Sequence, residues 1–247
     1  MDQDQLLEAT ARAEAHHFWF HGFRGFVGPL LSEALRHCPA AVVLDCGCGT
    51  GHNMALLRNY GRAVGIDLTA SGLAYASRRG ERSVAQASAV ALPFGAAAFD
   101  VVTSFDVLQT LDDEAERAAL SEMYRVMKPG GHLVINVAAM ALLTGNHSIL
   151  AREVRRYDRT MLAGRLRAAG FGIRRLSYTN ATIAPLVAAV RLLQRLSGHK
   201  ESAQEITVPS TLVNTALASV LRVEAAALRV VNMPFGSSLL ALAQRPA

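Results

Sequence analysis

The chain has 247 residues, with 25 Lys+Arg against 20 Asp+Glu for a formal charge of +5. That length suits one large domain or one domain with an insertion, and 51% hydrophobic against 18% charged residues excludes whole-chain disorder. No apolar run reaches the roughly 18 residues that cross a bilayer, because Pro185, Arg191, Gln194 and Arg195 break the most apolar stretch. The start, MDQDQLLEAT, lacks the basic-then-apolar shape of a signal peptide. A soluble, cytoplasmic protein is the expectation. Cys38, Cys46 and Cys48 are odd in number and form no zinc-spaced cluster, so neither a disulfide framework nor a metal site is expected. The mild positive charge, densest around Arg152–Arg175, reads as ordinary basic helix faces, and no nucleic-acid partner is expected from it.

Residues 2–37 read as a helical N-terminal segment containing the run His16-His17-Phe18-Trp19-Phe20-His21. From residue 41 to about 178, short apolar runs alternate with helical patterns, the signature of an open, mostly parallel α/β sheet. Ala41–Asp45 is a buried strand, followed by a glycine turn and a helix through about Tyr60. Ala63–Asp67 is the second strand, with Thr69 capping a helix to about Arg79. Ser83–Ala87 is a weak third strand and Phe99–Ser104 a fourth. Asp112 begins a helix by its N-cap type and the acids behind it, ending before Pro129-Gly130-Gly131. His132–Val137 is the fifth strand; Asp158 caps a helix to Ala169, and Phe171–Tyr178 is the sixth strand. Residues 181–196 and 211–231 then read as two apolar-faced helices, and SSLLALAQ as a last strand lying antiparallel beside the sixth. The fold class is therefore a Rossmann-like, seven-stranded, mostly parallel sheet with an antiparallel last strand. Its parts divide as a lid at 1–40, an α/β core at 41–180, a helical insertion or cap at 181–232 and the last strand at 233–247.

The strongest signal is Leu44-Asp45-Cys46-Gly47-Cys48-Gly49-Thr50-Gly51. A buried strand ends in an acid, and three alternate glycines lead into a helix, as needed where a tight turn must let a ligand lie on bare backbone. A dinucleotide fingerprint reads G-x-G-x-x-G and places a pyrophosphate at the helix start. Here the spacing is G-x-G-x-G, and Asp45 would repel an anion and attract an ammonium group. Asp67 ends the second strand, 20 residues beyond Gly47, where it can accept both hydroxyls of a ribose. A nucleoside with a cationic amino-acid tail satisfies both acids, which describes S-adenosylmethionine.

The sequence resembles the class I S-adenosylmethionine-dependent methyltransferases, in the UbiE-like, type 11 branch that acts on small molecules. The resemblance rests on LDCGCGTG (44–51), VGIDLT (64–69), ALPFGAAAFDVV (91–102), FDVLQTLDD (105–113) and MYRVMKPGGHLVI (123–135), and covers 41–178. It implies that Gly47, Cys48, Gly49 and Gly51 lie under the methionine part, with Asp45 near its amino group. It further implies that Asp67 holds the ribose and Leu68 packs on the adenine. Two departures stand out. The family's acid after the third strand is replaced by Ala87-Ser88-Ala89, so Ser88 and Ala89 meet the adenine with only a neutral partner, which implies ordinary or slightly weak affinity. In the N-terminal run, His21 and Phe23 stand where relatives have arginines, leaving Arg24 to pair with the methionine carboxylate.

Transfer from a sulfonium is an in-line displacement in which alignment and exclusion of water do most of the work. A base is needed only where the acceptor holds its proton. The candidates are His147, in the loop after the fifth strand, and His21, with His16 and His17 behind it. Trp19, Phe20, Gln109 and Tyr157 are candidate acceptor contacts; the absence of an N/D-P-P-Y motif after the fourth strand speaks against nucleic-acid bases. The expected reaction is methyl transfer to a small, fairly apolar metabolite such as a natural product, quinone or lipid-like molecule. Alternatives are a cofactor-binding protein that transfers no methyl group, and a peripheral membrane enzyme with a lipid or glycan acceptor. A homodimer is left open.

Overall fold

The computed structural model describes residues 3–141, 152–189 and 208–247. Its frame is strand β1 (Val42–Cys46), buried from Val43 to its end. A continuous apolar run of this kind suits a parallel strand covered on both faces. It pairs in parallel with β2 (Arg62–Asp67) on one side and β4 (Phe99–Phe105) on the other. With β3 (Val84–Gln86), β5 (Met127–Ala138), β6 (Gly172–Thr179) and β7 (Ser238–Gln244), the order is β3-β2-β1-β4-β5-β7-β6. β7 runs antiparallel to both β5 and β6, so it inserts between them as well as lying beside the sixth strand. The order reverses between β1 and β4, and the crevice outside the carboxyl ends of such strands is where open α/β sheets bind ligands.

Helices cover both faces. Helix α5 (Asp113–Val126) is capped by the Asp112 carboxylate, which accepts from Glu114 N and Ala115 N, and it buries Ala119, Leu120, Met123 and Val126. Helix α6 (Arg159–Ala168) is capped by Asp158, which accepts from Met161 N. Both pack into the core on one face, where truncating a buried leucine such as Leu120 to alanine would cost about 2–5 kcal/mol. The other core unites α2 (Phe18–Ala34), α3 (Met54–Arg58) and α7 (Thr211–Ala227) through Phe26, Leu30, Leu57 and Leu221. Helix α1 (Gln3–Ala13) precedes α2, and α4 (Ala70–Arg78) follows β2.

Several boundaries differ from the sequence reading. The helix expected through Tyr60 is only Met54–Arg58. The fifth strand begins at Met127 rather than His132, because β5 continues through Pro129-Gly130-Gly131 with an irregular register against β4. Helix α7 ends at Ala227. A helical segment at 184–189 begins the 181–196 stretch, whose remainder lies outside the described residues. Its start is held by the buried Glu224 of α7, which accepts from Ala181 N at 2.9 Å, Thr182 N at 3.0 Å and Thr182 Oγ1 at 2.5 Å.

Candidate functional site

Asp45 is the penultimate residue of β1, which runs one residue further than the sequence reading, and is 1% exposed. Its Oδ1 accepts from Thr103 Oγ1 on the adjacent β4 at 2.7 Å. Burial pushes this carboxyl up to about 7, with the Thr103 hydrogen bond opposing the rise and the Asp67 charge adding to it. An uncompensated anion in such a place is costly, so a cation arriving beside it would gain from pairing.

The loop after Asp45 demands glycine at each predicted position. Gly47, Gly49 and Gly51 have φ of 88°, 51° and 75°. A Cβ on Gly47 would lie 2.2 Å from Val107 Cγ2, and one on Gly51 2.7 Å from Ala76 Cβ. The amides of Gly47 and Cys48 both donate to Ile66 O at 2.8 Å, which pins the loop to β2. Cys48 is buried against Gly65, and its burial raises the thiol's pKa. Its side chain packs beneath the loop.

Asp67 ends β2, next to that loop. Its Oδ2 accepts from Gly49 N at 2.7 Å, and its Oδ1 from Thr69 N at 2.8 Å and Thr69 Oγ1 at 2.5 Å. Thr69 occupies the N-cap position of α4 but makes no side-chain cap bond, because its hydroxyl is turned back onto Asp67. A carboxylate has about four acceptor positions, and three are used here. Both hydroxyls of a ribose therefore cannot be added unless the Thr69 hydroxyl turns away. Leu68 beside it is 69% exposed, and its carbonyl accepts from Gln86 Nε2 at 2.9 Å. Ser88 and Ala89 are half-buried; the Ser88 hydroxyl meets only Val90 N, at 3.4 Å.

The N-terminal segment touches the same loop. Glu14, just past α1, is buried and accepts from Thr50 Oγ1 at 2.6 Å while pairing with Arg79 at 3.1 Å. Burial raises its pKa, with Thr50, Arg79 and Arg24 opposing. Arg24 reaches Glu14 O at 3.4 Å and His21 Nδ1 at 3.3 Å. With Gly51, His52, Arg58 and Arg79 it lines an open depression of about 510 Å³. His21 Nε2 faces Ala15 O at 3.1 Å, so its ring bridges Ala15 and Arg24. Burial and then Arg24 lower the His21 pKa. In this arrangement neither ring nitrogen is left over for proton transfer. Trp19 and Phe20 are half-buried, with Trp19 packed on the core and His17 edge-on to Phe20 at 6.1 Å. Phe23 stacks edge-on against Phe105, the last residue of β4, at 5.0 Å.

Past β4 the structure exposes a group the candidate residues omitted. Asp106 has φ of 59°, a left-handed conformation that concentrates at functional positions in non-glycine residues. Its Oδ1 accepts from Gln109 Nε2 at 3.1 Å and Asn136 Nδ2 at 3.0 Å. Desolvation by the surrounding protein pushes the carboxyl up to about 6, although the residue is exposed and water at its open face limits the rise. Gln109 is buried, so it orients Asp106 rather than facing a cleft. Tyr157 is 1% exposed within the core, its hydroxyl donating to Leu108 O at 3.3 Å; it is a packing residue, out of an acceptor's reach. The polar residue after β4 at the strand-order reversal was the available signal for Asp106. For Glu14 and Thr50, 36 residues apart, no local pattern exists. His147 lies outside the described residues.

Residues 44–135 match a family model described as a methyltransferase domain. Over 164 residues the chain is 32% identical to a malonyl-(acyl-carrier protein) O-methyltransferase of Herminiimonas arsenicoxydans, covering 65% of this chain and 61% of that protein. Over 105 residues it is 39% identical to a demethylmenaquinone methyltransferase of Lactiplantibacillus plantarum, covering 38% and 44%. The chain thus matches less than two thirds of the length of these curated relatives. The solved (4+2)-cyclase SpnF shares the fold, with a TM-score of 0.56, 20% identity and coverage of 90% of this chain and 81% of that one. Residues 44–135 thus form a methyltransferase domain, and the relatives that match the chain include S-adenosylmethionine-dependent and other methyltransferases.

Proposed function

We propose that the whole chain transfers the methyl group of S-adenosylmethionine to a small, fairly apolar acceptor. The observation that carries this reading is the pair of acids on adjacent strand ends, Asp45 on β1 and Asp67 on β2, with the glycine loop between them. Asp45 would meet the ammonium group, the loop would underlie the methionine part, and Asp67 would hold the ribose once Thr69 releases Oδ1. Leu68, open at the surface, would cover the adenine, with Ser88 and Ala89 at its far edge. Arg24 would meet the methionine carboxylate from the lid at 1–40, and Trp19 and Phe20 would border the acceptor. Residues 181–232 would act as the cap of the 41–180 core, with 233–247 completing its sheet.

For an acceptor that must lose a proton, Asp106 is the group we assign as base. It stands at the strand-order reversal, both amide donors fall on Oδ1, and Oδ2 is left to accept. A carboxylate of somewhat raised basicity, oriented by two amides, suits proton removal near neutral pH. Acyl-carrier-protein and quinone methyltransferases among the relatives support a small, partly apolar acceptor.

Calorimetric titration with S-adenosylmethionine, S-adenosylhomocysteine and NADH, repeated with Asp67→Ala, tests the cofactor. Binding of the first two alone, lost in the variant, is expected. Labelled methyl donor with a panel of hydroxy acids, quinones and acyl-carrier thioesters then tests transfer. Cofactor binding without transfer to any of them would favour a non-transferring, cyclase-like role.

A further inference from the structure

Helix α7 carries two apolar stripes. The first buries Ala218, Leu221 and Ala225 against α2 and the sheet, where Gly22 of α2 allows Leu221 so close that a Cβ there would lie 2.4 Å from Leu221 Cδ1. The second stripe faces away. Leu212 is 82% and Val223 71% exposed, and Val213, Val220, Val230 and Val231 are exposed with them. At 3.6 residues per turn, the four on the helix, Leu212, Val213, Val220 and Val223, fall within an arc of about 100°, and Val230 and Val231 follow just past its end at Ala227. Arg222, on the helix about 80° beyond the Leu212 edge of that arc, and Arg229, just past the helix end, are both exposed. Within 208–247 the only acidic side chain is Glu224, which is buried and committed to Ala181 and Thr182. The exposed charge of this face is wholly positive.

We propose that the outer face of α7, continued by Val230 and Val231, docks on an anionic lipid surface. Apolar side chains at helical spacing would enter the region between headgroups and acyl chains, and Arg222 and Arg229 would reach lipid phosphates from the flank while their stems lie on the apolar boundary. A second copy of the chain fits this face less well: a self-complementary contact brings two acid-free, arginine-flanked stripes together with nothing to neutralise them. The proposal stands apart from the methyl-transfer reading, since none of these residues belongs to the site at the β1 and β2 ends.

Flotation of the full chain with vesicles of phosphatidylcholine, with and without about 30% phosphatidylglycerol, tests it. Binding is expected only to the anionic vesicles and weakens between about 0.05 and 0.5 M salt as the phosphates are screened. Arg222→Gln with Arg229→Gln should lower the partition coefficient about 25-fold, at roughly fivefold for each cation near the surface. Leu212→Ser with Val223→Ser should lower it at least about tenfold, with an unchanged circular dichroism spectrum because both positions are exposed. Should that second pair fail to fold, the arginine pair and the salt titration still decide. Equal binding to neutral vesicles, or binding to neither, overturns the proposal. So does a concentration-dependent dimer that Leu212→Ser with Val223→Ser returns to monomer, which would give the face to a second copy.

Discussion

Replacing Asp45 by asparagine should stabilise the ligand-free protein while damaging its site, and the effect should depend on pH in a defined way. The Asp45 carboxyl is driven from an ordinary 3.8 to about 7, chiefly by burial. At 1.36 kcal/mol per pH unit this is about 4 kcal/mol of penalty on the ionised form. Because the folded value lies above the unfolded one, the folded state binds the extra proton between about pH 4 and 7, and stability falls as pH rises through that window. Asparagine has no such charge. It keeps an acceptor for Thr103 but fits less well, at a cost of about 1 kcal/mol, which leaves a net gain near 3 kcal/mol above pH 8. For a chain of this size that is roughly 6–12 °C in melting temperature. The gain should shrink to nothing or reverse by pH 4–5. Thermal melts of both proteins from pH 4.5 to 8.5 provide the assay. On the proposed cofactor reading, binding to the parent at pH 7 also releases about half a proton, measurable by calorimetry in buffers of different ionisation enthalpy, and Asp45→Asn abolishes the release. A stability difference that stays constant across the pH range, or an asparagine variant less stable than the parent at pH 8, would refute the reasoning.

Gly47→Ala places a Cβ at positive φ and 2.2 Å from Val107 Cγ2; the two defects together should cost roughly 2–4 kcal/mol in urea unfolding. Adding Val107→Ala should recover only the steric part, and full recovery would show the backbone conformation to be free of strain. Glu224→Ala leaves the amides of Ala181 and Thr182 without their acceptor and should cost about 3 kcal/mol or more; a loss under about 1 kcal/mol would mean that the 184–189 segment finds other partners. With an identified acceptor that must be deprotonated, Asp106→Asn should lower turnover about a hundredfold and leave cofactor affinity intact. In the parent, kcat/KM should fall below about pH 6, where the raised Asp106 carboxyl takes up its proton. Unchanged turnover in the variant would remove Asp106 from the chemistry.

Strands β1, β2 and β4 were legible because each is a short, largely apolar run with an acid at or next to its carboxyl end, and the two aspartate caps of α5 and α6 because capping is a local interaction. β7 was legible as a strand, but its place between β5 and β6 is a long-range pairing that no local pattern carries. Thr69 shows the limit of local rules: its position at the start of α4 is that of a cap, yet its hydroxyl follows the stronger, charged acceptor at Asp67. Tyr157 shows another, since an aromatic residue near basic neighbours reads equally as a contact or as packing until its burial is known. Asp106 lies in the FDVLQTLDD run (105–113), but its significance comes from Asn136, 30 residues away, and from a backbone angle that sequence does not disclose.

The glycine loop is held from three directions, and this division of labour bears on how the site adapts to a ligand. Ile66 O fixes the loop to β2 through two amides, Asp67 holds Gly49 N, and Glu14 brings the N-terminal segment onto Thr50. That segment is in turn tied to α7, because Asn214 accepts from Phe18 N and donates to His16 O, each at 2.8 Å, across the break between α1 and α2. The backbone that would lie under a cofactor is therefore preset, and little ordering entropy remains to be lost there on binding. On the proposed cofactor reading, adjustment falls instead to side chains with soft torsions: the Thr69 hydroxyl would leave Asp67, and Leu68 would fold down from solvent. Changes at Thr69 and Leu68 should thus alter ligand affinity with small effects on stability, whereas changes at Thr50 or Asn214 should loosen the N-terminal segment from the loop before they disturb the sheet.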